Sequence, residues 1–170
     1  MAFLRAVPEF LAGMLLALSV CVASAVRVGR ALGTSTAVGV GIILSLGLVL
    51  SATITPQREA LEFGATGRGF CDFSRIGLAP LNSLFGLNDV SVNVLLFIPL
   101  GISIGLVPRS RRSVALLLAA IFLPVAIETT QLLLPVLDRA CESADVVDNL
   151  SGLVVGLALA PVGRWLAGRR

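Results

Sequence analysis

Five apolar stretches, each close to the length of a membrane span, constrain the fold of this 170-residue sequence more than any other feature. A helix needs roughly 20 predominantly apolar residues to cross the hydrocarbon core of a bilayer. The stretches lie at about 10–26, 35–54, 90–107, 113–137 and 145–165. They are too long for barrel strands, and they do not alternate between apolar and polar residues. The sequence therefore predicts an all-α, polytopic bundle of five transmembrane helices that forms a single membrane domain over residues 1–170.

The composition supports the bilayer as the solvent of this chain. Charged residues make up 14% of the sequence, against roughly 25% in an average soluble protein, and the mean hydropathy is +0.98. The net charge of +3 does not indicate nucleic-acid binding, because in a membrane protein the side on which the charges fall matters more. The sequence has no His, which excludes an imidazole base and His metal ligands. Any chemistry would depend on carboxylates, Arg, amides, hydroxyls or Cys.

The distribution of Arg residues predicts the orientation of the spans. Cytoplasmic loops of membrane proteins carry an excess of basic residues. With the N-terminus outside and the C-terminus cytoplasmic, the outer segments contain nine acidic residues, and the inner segments contain none. The inner segments then hold eight Arg residues: Arg27, Arg30, Arg109, Arg111, Arg112, Arg164, Arg169 and Arg170. We therefore expect a multi-pass protein of the cell (plasma) membrane.

The N-terminal segment also resembles a cleavable signal peptide, because Arg5 and an apolar stretch precede Ala23-Ser24-Ala25. Cleavage after Ala25 with an inside N-terminus would reverse every later loop and place the Arg-only loops outside the cell. Because that arrangement opposes the positive-inside rule, we expect the first span to be retained.

Residues 56–89 are predicted to form an extracytoplasmic loop, whose LAPLNSLFGL portion is expected at the membrane interface as a short amphipathic or re-entrant segment. Cys71 lies in this loop, and Cys141 lies in the next outer segment, where oxidation is permitted. We expect a disulfide between them, and the alternative is two unrelated thiols. Cys21 lies within the first span and is expected to be an inert packing residue.

Several polar residues interrupt the last three spans. Because the third and fifth spans enter from outside and the fourth leaves toward the outside, these residues should meet in one layer in the outer half of the membrane. We expect Arg139 to close this layer from above. The candidate catalytic residues are Glu128, Asp145 and Asp148, and the candidate ligand-binding residues are Asn93, Gln131, Arg139 and Asn149.

Each of these residues also has a structural explanation. Asp145 and Asp148 could stabilise the start of the fifth span, with Ser143 as its N-cap. Asn93 and Gln131 could form interhelical hydrogen bonds. For Glu128, a functional role is the better explanation. A carboxylate within a span costs at least a few kcal/mol, and such a group is a usable acid or base.

Two further features concern metal binding and helix packing. An Asp-x-x-Asp pair with a Glu would suit Mg²⁺, but the spacing matches no specific loop pattern, so no metal site is assigned and no cofactor is identified. Gly101-xxx-Gly105 and Gly152-xxx-Gly156 predict close contacts between helix backbones.

Three segments in order resemble the VanZ-like family of small bacterial integral membrane proteins. They are NVLLFIPLG at 93–101, IETTQLLLP at 127–135, and R-x(5)-D-V-V-D-N-x(2)-G at 139–152. LAPLN at 78–82 is similar to a looser form of an element that precedes the first of these, and the resemblance covers about residues 40–160. It implies a multi-span helical protein in a family whose founding member is linked to resistance to the glycopeptide teicoplanin. The family's characteristic residues match Asn93, Glu128, Gln131, Arg139, Asp145, Asp148, Asn149 and Gly152.

The polar layer and the resemblance together lead to three functional hypotheses. The first is an outer-leaflet pocket that binds a cell-envelope lipid, a lipid-linked cell-wall precursor or a lipoglycopeptide, with a link to glycopeptide resistance. The second is an enzyme in which Glu128 acts as acid or base on a lipid-phosphate substrate. The third is a membrane scaffold without a ligand. In all three, membrane lipids are the expected partners and nucleic acid is not.

Overall fold

The computed structural model describes residues 9–64, 69–86 and 88–167, and these residues are mostly helical. Two very short strands pair in parallel, with Cys71 opposite Cys141. A 3₁₀ turn spans Leu81–Leu84 and another spans Pro135–Leu137. The helices and strands in chain order are α1 (Phe10–Leu32), α2 (Thr36–Thr53), α3 (Arg58–Phe63), β1 (Cys71–Asp72), α4 (Asp89–Gly105), α5 (Arg111–Leu133), β2 (Cys141–Glu142) and α6 (Ser143–Ala167).

Four helices in the described part of the chain are long and apolar enough to cross a membrane. They are α1, α2, α5 and the Ser143–Val162 portion of α6. The remaining predicted span, 90–107, coincides with α4, which is apolar but has 17 residues. At 1.5 Å per residue α4 is about 25 Å long, slightly less than the roughly 30 Å of a hydrocarbon core. The protein is therefore a helical membrane protein with four full-length candidate spans and one shorter apolar helix.

The fourth predicted span ends earlier than the sequence pattern suggested. Helix α5 ends at Leu133, whereas the apolar stretch continues to Leu137. Leu134 leaves the helical region at φ −115° and ψ 79° because the ring of Pro135 disfavours a helical conformation in the residue before it. Residues Pro135–Leu137 then form a separate 3₁₀ turn that leads toward β2.

Glycines allow α4 and α6 to pack closely against each other. Gly101 lies against the backbone of Leu153 and Gly156, and Gly152 lies against the carbonyl group of Val94. A Cβ atom at either glycine would overlap backbone atoms of the opposite helix. The close backbone approach predicted from the two Gly-xxx-Gly pairs is therefore confirmed.

The interior of the bundle is apolar where α2, α4, α5 and α6 meet. Phe97, Ile127, Leu153 and Val49 are fully buried there. Large apolar side chains such as Val22 and Phe122 point away from this core and are exposed, as expected for surfaces that face lipid.

The two ends of the bundle differ in their polar residues. At one end, a guanidinium N–H of Arg112 donates to the carbonyl oxygen of Ala31, so the α1–α2 turn and the start of α5 lie together. At the other end, the long segment between α2 and α4 meets the connection between α5 and α6 through the β1–β2 pair. This second end contains the predicted polar residues.

Candidate functional site

A disulfide ties the long loop to the segment before α6. Cys71 and Cys141 are directly opposite each other in the β1–β2 pair, with a Cα–Cα distance of 4.5 Å, and their sulfur atoms are bonded. The predicted disulfide is thus present in the structure, and it connects residues 70 positions apart. Cys21 is buried in α1 and remains a free thiol.

The loop supplies a basic residue that sequence reasoning did not single out. Both terminal nitrogens of Arg75 donate to the carboxylate of Asp148, with Nη1–Oδ1 at 3.1 Å and Nη2–Oδ2 at 2.5 Å. The Ser143 hydroxyl donates to the Arg75 carbonyl oxygen at 2.8 Å, so the loop backbone is also attached to the start of α6. The hydrogen bonds that Arg75 donates to Asp148 raise the pKa of Arg75. The only sequence signal was the position of Arg75 shortly after a cysteine expected in a disulfide.

The C-terminal end of α2 is capped by polar residues from other elements. The last carbonyl groups of a helix have no partner within the helix. Here the Gln131 side chain donates from Nε2 to the Thr53 carbonyl oxygen at 3.0 Å, and Arg139 donates from Nη2 to that of Ala52 at 2.8 Å. A cationic side chain at this position is also favoured by the helix dipole. Gln131 and Arg139 therefore join α2 to α5 and to the α5–α6 connection.

Glu128 is held in place by the backbone of β2. Its Oε2 atom accepts a hydrogen bond from the Glu142 N–H at 2.8 Å, and its side chain is buried. This contact explains how a carboxylate within a candidate span reaches polar surroundings at the end of the bundle. Glu128 is one of the residues that line the cavity described next.

A polar cavity of about 260 Å³ lies between α2, α4, α5 and the start of α6. Six of the predicted site residues line it, namely Asn93, Glu128, Gln131, Arg139, Asp145 and Asn149. The cavity is also lined by Gln57, Asp89 and Glu142, which sequence reasoning had not assigned to the site. Asp148 is not among the lining residues, because its carboxylate is occupied by Arg75.

The cavity contains more negative than positive groups. Asp89, Glu128, Glu142 and Asp145 line it together with a single cationic side chain, that of Arg139. Burial lowers the pKa of Arg139, while the carboxylates of Asp145 and Glu128 act in the opposite direction. Among the residues that the structure describes, no group of three or more His, Cys, Asp or Glu side chains is arranged to hold a metal ion.

Three buried polar atoms on the cavity residues lack a hydrogen-bond partner within the described protein: Gln131 Oε1, Asn149 Oδ1 and Arg139 Nε. Gln131 and Asn149 are 6% and 1% exposed, so bulk water does not reach them freely. The orientation of Gln131 is fixed, because its amide nitrogen already donates to a carbonyl oxygen. Residues that line the cavity therefore carry two hydrogen-bond acceptors and one donor that no described protein group satisfies.

A second cavity, of about 590 Å³, lies between α1 and α2. Apolar side chains such as Leu16, Ile42 and Leu46 form most of its lining, and none of the predicted site residues contributes to it. It lacks the convergent polar groups that orient a specific ligand. The polar cavity is therefore the better candidate for a functional site.

Comparison with known proteins gives one match. A family model described as VanZ/LLP1 matches residues 42–164, which include every residue that lines the polar cavity. No curated protein and no solved structure matches the chain.

Proposed function

The chain belongs to the VanZ/LLP1 family, and from this premise we propose that its polar cavity binds the headgroup of a cell-envelope lipid or lipid-linked amphiphile. The protein would be a multi-pass protein of the plasma membrane, with five membrane-crossing helices and the cavity in the outer half of the membrane. The amphiphile's apolar part would remain in the surrounding lipid, because a cavity of about 260 Å³ accommodates a headgroup but not acyl chains.

The observation that carries this proposal is the set of partnerless polar atoms in the cavity. A buried polar group without a partner costs about 1–3 kcal/mol. Gln131 Oε1, Asn149 Oδ1 and Arg139 Nε all have this property, and all three belong to residues that line the same cavity. A headgroup with matching donors and acceptors would offset that cost. In a purely structural polar layer, these atoms would instead be expected to pair with one another or with ordered water.

The distribution of charge supports an outer location. The exposed side chains of Arg30, Arg109 and Arg111 lie at or near the end where Arg112 contacts Ala31. The cavity, with its four carboxylates, lies at the opposite end. Since basic residues concentrate on the cytoplasmic side, the cavity end is expected to face outward. The N-terminus would then be outside and the C-terminus cytoplasmic.

Exposed apolar side chains next to the cavity support lipid contact. In the described part of the loop between α2 and α4, Phe63, Phe73 and Phe85 are strongly exposed, and so are Ile76 and Leu78. Contiguous exposed apolar residues usually mark an interaction surface. At the end of a membrane bundle, such side chains are expected to lie in the lipid interface. They would keep the loop against the bilayer, beside the cavity.

The enzyme alternative has less support from the geometry. It required Asp145 and Asp148 to act together with Glu128 on a phosphate substrate. Asp148 is instead paired with Arg75 and does not line the cavity, so the two Asp residues do not act there as a pair. A link to glycopeptide resistance is part of our proposal through the family resemblance, with a lipid-linked cell-wall precursor or a lipoglycopeptide as the ligand.

Cross-linking with photoactivatable envelope lipids tests the proposal. Lipids that carry the reactive group in the headgroup should label peptides from residues 89–96 and 139–149, which line the cavity. Probes that carry it at the end of an acyl chain should instead label lipid-facing residues such as Val22 and Phe122. Headgroup labelling that spreads evenly over the surface of the bundle would contradict the proposal.

A further inference from the structure

We infer that the polar cavity selects a headgroup that bears a protonated primary amine. This inference rests on the proposed function and specifies the chemistry of its ligand. It follows from three properties of the cavity: its charge, the hydrogen-bonding capacity of its buried atoms, and the absence of a metal-binding arrangement among the described residues.

The charge of the cavity favours a cation. Its lining contains four carboxyl groups and one guanidinium group. The nearby Arg75 does not compensate for this excess, because its guanidinium is already paired with Asp148, outside the lining. Charge complementarity between a site and its ligand suppresses ligands of the wrong sign. A purely anionic headgroup, such as a phosphate monoester, therefore does not fit this lining.

The buried acceptor atoms favour a cation that carries N–H donors over a cation that has none. A protonated primary amine has three N–H donors and no acceptor. Gln131 Oε1 and Asn149 Oδ1 each need one donor, and Glu128 has a carboxylate atom beyond the Oε2 that accepts from the backbone of Glu142. The three donors of an ammonium group thus equal in number these two amide oxygens and one carboxylate oxygen. A quaternary ammonium group carries the same charge but has no N–H to donate.

Arg139 provides a place for an anionic group on the same headgroup. Its Nη2 is used by the carbonyl oxygen of Ala52, whereas its Nε lacks a partner. An amine and a phosphate that are linked by a short chain would satisfy both the acceptors and this donor. A bare metal ion is a weaker fit, because no three acidic side chains in the described ranges converge on one point.

The test compares headgroups that differ only in the amine. The wild-type protein is reconstituted in nanodiscs of phosphatidylglycerol that contain equal small amounts of phosphatidylethanolamine and phosphatidylcholine, and the retained lipids are measured by native mass spectrometry. We expect phosphatidylethanolamine to be retained over phosphatidylcholine by about tenfold or more. N-acetylated phosphatidylethanolamine has lost the positive charge and two of the three N–H donors, and it should be retained no better than phosphatidylcholine.

Variants and a soluble competitor assign the preference to the cavity. Glu128→Gln and Asp145→Asn should each reduce the ratio, whereas Glu62→Gln, in an exposed surface ion pair, should leave it unchanged. Ethanolamine and glucosamine are added at millimolar concentration as competitors. If either displaces the lipid, a soluble amine or an amino sugar is identified as a source of the protonated primary amine. If neither compound displaces the lipid, the preference is assigned to the intact lipid.

Two outcomes separate failure of this inference from failure of the proposed function. If the protein retains lipid but holds equal amounts of the two headgroups, the amine preference is overturned. The proposed function is not contradicted by that result. No retention of either headgroup beyond the bulk lipid would contradict both. The wild-type comparison needs no substitution, so a variant that fails to fold does not affect it.

Discussion

The guanidinium group of Arg75 forms a two-point ion pair with the carboxylate of Asp148, which joins the long loop to the first turns of α6. Asp148 is 2% exposed and the Arg75 side chain is 28% exposed. Because the disulfide, the ion pair and the hydrogen bond from Ser143 all attach the loop to the start of α6, the loop is a fixed part of the site.

Removing Arg75 should destabilise the protein strongly. Arg75→Met leaves the Asp148 carboxylate buried without a partner, and breaking a buried ion pair in this way costs about 3–5 kcal/mol. Because Arg75 is partly exposed, we expect a loss of stability at the lower end of this range, about 3 kcal/mol. Thermal unfolding in detergent would measure the loss.

The matched control is Arg58→Met. Arg58 pairs with Glu62 on the surface, with side chains 55% and 44% exposed, and this pair should contribute below about 1 kcal/mol. The double variant Arg75→Met/Asp148→Leu should recover most of the lost stability, because no charge remains buried. Equal effects of the two single Arg variants would show that the Arg75–Asp148 pair is not buried as described.

The disulfide should be present in protein taken from the native envelope. Mass mapping without reduction should recover a cross-linked pair of peptides that contain Cys71 and Cys141. Cys71→Ser should cost about 2–5 kcal/mol and increase proteolysis within the loop at 56–89, since a long segment is released. Cys21→Ser, which removes the buried free thiol, is the control and should leave loop proteolysis unchanged. Free Cys71 and Cys141 in native protein would contradict this prediction.

The α4–α6 contact should not tolerate a side chain at Gly152. A Cβ atom there would overlap the carbonyl group of Val94, so Gly152→Ala forces the helices apart and should cost about 1–3 kcal/mol. Gly77→Ala is the control, because Gly77 has open space around it and no positive φ. A lower unfolding temperature for the Gly152 variant alone is expected, and unchanged stability would show that the helices do not pack this closely.

Orientation can be measured with reporters. A phosphatase that is active only outside the cytoplasm should be inactive when fused after the last residue, because the Arg-rich end of the bundle is expected to face inward. The same phosphatase fused within the loop at 56–89 should be active. The reverse pattern would place the cavity on the cytoplasmic side and overturn the proposed outer location.

The sequence predicted the features that depend on length and chain direction. The apolar stretches predict the membrane-spanning helices. Because successive helices alternate in direction, Asn93, Glu128 and Asn149 were expected at the same level, and all three line one cavity. The cysteine pairing followed because both residues fall on the same side of the membrane.

Other features depend on loop conformation, which no periodic pattern specifies. Asp145 and Asp148 are three residues apart on one helix face, so nothing in the residue pattern separates their roles. The fold of the loop brings Arg75 to Asp148 and leaves Asp145 in the cavity. Likewise, the use of Gln131 and Arg139 to cap α2 depends on how α5 and α2 pack.

If buried polar atoms of the cavity residues bind a lipid headgroup, removing the acceptor of Asn149 should release the lipid. Asn149→Leu keeps the number and branching of the side-chain heavy atoms but removes the partnerless acceptor Oδ1. Asn82→Leu, on an exposed 3₁₀ turn outside the cavity, is the matched control. Leu is larger than Asn, so thermal unfolding of the lipid-free proteins must first show that Asn149→Leu is folded.

The decisive measurement is the lipid occupancy of the three proteins, purified from the same membranes and compared by native mass spectrometry. We predict that the wild type and Asn82→Leu each carry a bound lipid, and that occupancy falls about tenfold in Asn149→Leu. Equal lipid occupancy in all three folded proteins would contradict the claim.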